Sequence, residues 1–179
     1  MIYNPEKHNR KSIRLKGYDY SSPGYYYVTI CTKKWKKWFG FVESEKIIHN
    51  HLGKLIHSIW SGIPNHYENT DLDQYIIMPN HIHGIIVINE SDKFNVVGTE
   101  HCSVPTNKSI NYGLLSKIVK SFKEISKKTI RKQFNNYEFE WQRSFYDHII
   151  RSESSLNNIR KYIINNPIKW EMDKDNPVN

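Results

Sequence analysis

The chain has 179 residues, a formal net charge of +8, a sequence pI near 9.3 and 13% aromatic residues. That length fits one domain with a real hydrophobic core, and the two cysteines, Cys31 and Cys102, are too few for a disulfide framework or a cysteine-rich zinc site, although a single bridge between them stays open. The polar N-terminus has no apolar signal core and no later run reaches the length of a membrane span, so a soluble, reduced, cytoplasmic protein with no membrane partner is expected.

Residues 1–20 carry Lys7, Arg10, Lys11, Arg14 and Lys16 among few hydrophobics. They read as a basic arm, with a solvated tail as the other reading. After the turn signal Ser21-Ser22-Pro23-Gly24, the run Gly24–Thr32 is rich in aromatic and β-branched residues and predicts a first strand. WKKWFGFVESEKIIHN then reads as a short hairpin excursion around Gly40. From about Asn50, Leu52, Leu55, Ile56, Ile59 and Trp60 recur at helical spacing until Gly62-Ile63-Pro64 stops the pattern.

Two strands follow, Leu72–Met78 and His81–Asn89, joined by a tight turn at Met78-Pro79-Asn80. Residues 90–112 lack either period and read as a long loop. Leu114, Leu115, Ile118, Val119, Phe122 and Ile125 mark a second helix whose other faces carry Lys117, Lys120, Lys127 and Arg131. These four and Arg14 are candidate phosphate contacts, although a charge-rich helix is as readily a solvated one. Phe139–Ile150 reads as a last strand. Ser154–Asn165 reads as a third helix, stopped by Pro167. The order β, α, β, β, α, β, α is that of an α+β, ferredoxin-like antiparallel sheet with helices on one face, plus an extra C-terminal helix.

Three groups of residues carry chemistry. His81 and His83, in MPNHIHGIIV, share one face of a strand at its beginning, near solvent, while Ile82 points the other way. Such a pair offers two imidazole nitrogens to one metal ion, and polar strand packing is the alternative. Trp141, Gln142, Arg143 and His148 form a polar-aromatic cluster suited to DNA contact, although Trp141 fits a core equally well. Tyr146 is placed to stack a base and is a rival nucleophile. In the third helix, Tyr162 and Asn166 lie four positions apart on one face. Taken singly, Tyr162 is a core aromatic and Asn166 a helix-end residue. His49-Asn50-His51 spells HNH without the ββα context that such nucleases need. His101-Cys102 has no partner triad.

The motifs MPNHIHG, WQRSFYDHIIR and YIINNPIKW, in this order and on these elements, resemble the single-tyrosine HUH transposases, most of all the REP-associated tyrosine transposases. The resemblance spans about residues 24–170. It implies a single catalytic domain over 21–170 with a C-terminal tail at 171–179. The implied activity is that of an endonuclease and strand transferase acting on single-stranded DNA with palindromic hairpins. It further implies Tyr162 as the nucleophile, and His81, His83 and Asn166 as ligands of a divalent metal, Mg²⁺ or Mn²⁺. A tyrosine hydroxyl titrates near 10 when free, so it needs electrostatic help as a nucleophile at neutral pH. The mixed nitrogen and oxygen donor set favours Mn²⁺. Monomer and homodimer are both compatible with the family. A non-catalytic single-strand-binding module on the same fold, stacking bases on Tyr25, Tyr26 and Tyr27, is the alternative. A zinc hydrolase lacks the customary third ligand nearby.

Overall fold

The computed structural model describes residues 14, 15, 17–90 and 113–170. Most of the basic arm, all but the first residue of the loop at 90–112, with His101 and Cys102, and the tail at 171–179 lie outside the described residues.

The strands are β1 (Gly24–Cys31), β2 (Gly40–Glu43), β3 (Lys46–His49), β4 (Thr70–Ile77), β5 (His81–Ile88) and β6 (Tyr146–Ile150), and the α-helices are α1 (His51–Ser61), α2 (Gly113–Phe134) and α3 (Glu153–Ile164). Four strands form one sheet in the order β4-β5-β1-β6, every neighbouring pair antiparallel. This is the ferredoxin-like arrangement, and β2–β3 is a separate hairpin.

Helix boundaries follow local chemistry. Asn50 caps α1 by accepting from Gly53 N at 3.0 Å, and Ser152 caps α3 by accepting from Ser155 N at 3.2 Å. His49, beside Asn50, places its Nε2 2.9 Å from Ile77 O, so both residues serve local structure.

Two sequence expectations need correction. The hairpin turns at Ser44-Glu45, whose φ of 48° and 61° supply the left-handed pair of a tight hairpin, and Gly40 instead opens β2. The last strand is shorter than Phe139–Ile150 and begins at Tyr146. Before it, Phe139 and Trp141 turn into an aromatic cluster with Phe39 and Phe122, and Trp141 pairs with β1 only through one bridge to Thr32. Burying those rings outweighs continuing the ladder.

The sheet is covered on both sides. Tyr26, Val28, Ile30, Ile82 and Ile86 point to the side of α1 and α2, forming the main core with Ile56, Trp60, Ile118 and Phe122. The alternate residues Tyr27, Ile85 and Ile150 pack against Leu156 and Ile163 of α3. Gly84 permits the close approach on the first side, because a Cβ there would stand 2.6 Å from the ring of Trp60. The helix bearing Tyr162 therefore lies across the sheet from the other two.

Candidate active site

Strand register brings the histidines to their neighbours. Cys31 pairs with His81 and Thr29 with His83 on one side of β1, while Thr29 pairs with Tyr146 and Tyr27 with His148 on the other. All these side chains share the face that carries α3.

The histidine pair is buried: His81 is 0% and His83 2% exposed. This corrects the expectation of a position near solvent, since α3 and the turn after it close over the beginning of β5. His81 Nδ1 lies 2.7 Å from Asn80 Oδ1, while Asn80 Nδ2 donates to Trp35 O at 3.1 Å. The amide oxygen can only accept, so His81 Nδ1 carries the proton. Burial, with a smaller contribution from His83, holds the His81 pKa well below the ordinary imidazole range. The ring is therefore neutral, and its Nε2 presents a lone pair.

That Nε2 lies 3.0 Å from His83 Nε2. On its other side, His83 Nδ1 is 2.7 Å from the Tyr27 hydroxyl and 2.9 Å from Thr29 Oγ1. Hydroxyls donate or accept, so either tautomer of His83 is served.

Tyr162 reaches the same atom. Its hydroxyl is 3.4 Å from His83 Nε2, and its ring packs edge-on against those of His83 and Tyr27. Trp170 packs on His81 with centroids 6.0 Å apart. Asn166 falls midway between Tyr162 and Trp170 on the winding that continues α3, each four residues away. Asn166 is 2% exposed, and its Oδ1 is buried without a hydrogen-bond partner among the described residues. Unsatisfied buried oxygens are uncommon, and a water or an ion is among the partners that satisfy them.

The two imidazole nitrogens have the spacing of two ligands on one divalent ion. Adjacent donors on one octahedral ion with bonds of about 2.1 Å stand about 3.0 Å apart, which is the separation of the two Nε2 atoms. Among the described residues no group of three His, Cys, Asp or Glu side chains gathers. A third protein donor would then be an oxygen of another kind, such as the Asn166 amide.

A cleft of about 500 Å³ opens beside the pair, lined by Tyr27, Thr29, His83, Gln142, Tyr146 and Tyr162 among others. Tyr146 and Tyr162 are 42% and 44% exposed. Of these two exposed tyrosines, Tyr162 is the one whose hydroxyl approaches His83 Nε2. Lys123 of α2 steadies the far wall, donating to Gln142 O and Ser144 O at 3.0 Å each, and burial draws its ammonium pKa down to about 8.

The other candidate residues are distributed differently. His148 and Arg143 are exposed, His148 on the cleft side of edge strand β6. Trp141 is buried at 7% and donates to Ser126 Oγ at 2.9 Å, so its ring belongs to the core. Lys117, Lys120, Lys127 and Arg131 are on α2, across the sheet from Tyr162. Lys127 and Arg131 converge on Glu140 at 2.6 and 2.8 Å. Arg14 pairs with Asp147 at 3.2 Å and donates to Ser116 Oγ at 2.6 Å on that same side.

Sequence reasoning did not single out Tyr27 and Thr29 as neighbours of His83, Asn80 as the residue fixing His81, or Trp170. Strand alternation places Tyr27 and Thr29 on one face, yet no sequence signal sets the β1–β5 register that brings Thr29 opposite His83.

Comparison with known proteins agrees with this architecture. Residues 101–166, which include α2, β6 and α3, match the family described as IS200-like transposase. An uncharacterized protein of Haemophilus influenzae is 38% identical over 178 residues, covering 96% of each chain. Over residues 101–166 the chain is homologous to the IS200-like transposases. The matched residues contain Tyr162 and Asn166, and the histidine pair lies before them. A solved structure of a REP-associated tyrosine transposase bound to a REP hairpin has the same fold, with 15% identity, a TM-score of 0.57, and coverage of 91% of this chain and 77% of that one. No helix of the described residues is long and apolar enough to cross a membrane.

Proposed function

We propose that this protein is a transposase-type, metal-dependent endonuclease and strand transferase that cuts single-stranded DNA beside a hairpin and holds the cut end on Tyr162. The observation that carries this reading is the 3.4 Å approach of the Tyr162 hydroxyl to a histidine nitrogen that is itself 3.0 Å from a second one. The hairpin partner is suggested by the structurally similar transposase, which was solved bound to one.

In this reading the Tyr162 oxygen attacks the scissile phosphorus, forming a P–O bond to tyrosine as the P–O3′ bond breaks. The hydroxyl proton is balanced by the one gained at the departing 3′-oxygen. A second DNA 3′-hydroxyl can run the same exchange backwards and join a new strand without ATP. His81, His83 and Asn166 would hold Mn²⁺ or Mg²⁺, which when bound supplies positive charge to the scissile phosphate. Asn80 fixes the His81 tautomer, and the hydroxyls of Tyr27 and Thr29 orient His83. Tyr146, exposed in the same cleft, is suited to hold a base rather than to attack.

Both faces of the sheet carry helices, and Tyr26 and Tyr27 are buried. A module that stacks bases on open strands needs the face that α3 occupies, which weighs against the non-catalytic alternative.

The test is incubation with labelled single-stranded hairpin DNA and Mn²⁺, followed by a denaturing gel. A covalent protein–DNA band is expected. Nicking without any such band would overturn the tyrosine mechanism.

A further inference from the structure

Between β1 and β2 the chain reads Lys33-Lys34-Trp35-Lys36-Lys37-Trp38. Trp38 is accounted for by packing against Phe139, with ring centroids 5.9 Å apart. Trp35 has a different position: it lines the cleft that also holds His83 and Tyr162.

The backbone here is strained. Lys34 and Trp35 both have φ of 57°, the left-handed region that bulky side chains avoid, and neither is glycine or asparagine. Surrounding bonds enforce the conformation. Trp35 N donates to Thr32 O at 3.2 Å, Thr32 Oγ1 donates to Lys36 O at 2.8 Å, and Lys33 N donates to Glu140 O at 2.8 Å. Asn80 Nδ2 donates to Trp35 O at 3.1 Å while its Oδ1 accepts from His81. One side chain thus fixes both the turn and the ring of His81. Strain held in place this way is characteristic of binding sites.

Lys33, Lys34, Lys36 and Lys37 are exposed around the half-buried indole. Lys36 is shared with Glu138 at 3.4 Å, with both side chains well exposed, and Lys37 lies over the ring of Trp170. Exposed pairs of this kind are weak and exchange readily for a phosphate. An indole flanked by ammonium groups matches the chemistry of an unpaired strand, whose bases offer a free face and whose backbone repeats a negative charge. A duplex would satisfy the lysines and leave the indole unused.

We infer that this turn docks the single strand running into the cleft, with Trp35 stacking on one unpaired base next to the scissile phosphate and the lysines meeting the flanking phosphates. The inference rests on the nuclease reading above and adds the element that seats its substrate.

The experiment measures binding of the full chain to fluorescein-labelled dT20 in EDTA, so that no cutting intervenes, over a series of salt concentrations. Trp35→Ala should weaken binding about ten-fold or more, within the range that loss of one stacked base gives. Trp35→Phe, which keeps a ring in the strained turn, should recover most of it. Lys33→Gln with Lys34→Gln should lower the slope of log affinity against log salt by about 0.7 for each phosphate no longer neutralised. If Trp35→Ala loses its fold, Trp35→Phe still decides, because dT20 should quench less tryptophan emission from it than from the unaltered protein. Equal affinity of Trp35→Ala, or equal quenching of Trp35→Phe, would overturn the inference and leave the nuclease reading standing. Failure of the unaltered protein to bind dT20 even at low salt would likewise overturn the inference, whereas the nuclease reading falls only if hairpin DNA gives no covalent band.

Discussion

Arg160 grips both carboxylate oxygens of Asp73, through Nε at 2.9 Å and a terminal nitrogen at 2.5 Å. The two residues belong to α3 and β4. Asp73 sits where the β4–β5 register shifts between Leu72 and Tyr75, a bulge that turns its side chain toward α3. Arg160 comes two residues before Tyr162, so this bidentate pair fixes the height and rotation of the helix that presents the hydroxyl. Hydrogen bonding from Arg160 holds the Asp73 carboxyl below its usual pKa. The sign places loss of this pair in acid, below the ordinary carboxylate range, so assays near neutrality keep it intact.

Asp73→Asn keeps the size and removes the charge. We expect cleavage to slow by roughly 10- to 100-fold, the effect of misplacing a reacting group by about 1 Å. Single-strand affinity should hardly change, because the pair lies on β4 and α3 rather than in the cleft wall. Rapid-quench measurement under saturating DNA separates the two, and a rate within about two-fold of the unaltered protein would show that α3 is positioned by packing alone.

Tyr162→Phe removes one oxygen from a side chain that is 44% exposed. The ring keeps its contacts with His83 and Tyr27, so thermal stability should shift by no more than about 0.5 kcal/mol, as at other surface positions. Covalent capture and strand transfer should disappear. Tyr146→Phe should retain the adduct. Mass spectrometry of the trapped peptide decides between them, and a nucleotide on Tyr146 would reverse the assignment.

Metal binding can be read without activity. If His81, His83 and Asn166 hold the ion, Mn²⁺ at about 100 times its dissociation constant should stabilise the protein by about 2.7 kcal/mol. His83→Ala should remove that gain. It should also lower the stability of the metal-free protein, because the imidazole is buried and its loss leaves the hydroxyls of Tyr27 and Thr29 short of a partner. Asn166→Ala should shift the Mn²⁺ midpoint to higher concentration without abolishing the response. An undiminished Mn²⁺ shift in His83→Ala would place the metal elsewhere.

Without metal, stability should fall with acid. His81 is neutral and resists protonation when folded, whereas the unfolded chain takes up a proton below about pH 6.5. The unfolded state then binds more protons, so this one group removes about 1.4 kcal/mol per pH unit below that point. Urea unfolding in EDTA between about pH 7.5 and 5.5, spanning the free imidazole range, measures the slope, with His81→Asn as the reference in which this contribution should vanish. An identical slope in both proteins would assign the acid sensitivity to other histidines.

The element types, their order and most boundaries were legible in the sequence, because they rest on local causes. Asn50 and Gly62 bracket α1, and Met78-Pro79-Asn80 forces the turn that starts β5 at His81. The common face of His81 and His83 follows from the two-residue period of a strand, and that of Tyr162 and Asn166 from the helical period. Tertiary structure alone decided which of these faces meet. The side of the sheet that α3 covers depends on burying Leu156 and Ile163 against Tyr27, Ile85 and Ile150, residues far apart in the chain. That choice buries the histidines, brings Tyr162 to His83, and leaves the basic residues of α2 on the opposite side. Asp73 gripping Arg160, and Asn80 linking His81 to Trp35, arise from pairings 87 and 45 residues apart. Neither periodicity nor capping reaches that far; strand register and side-chain packing do.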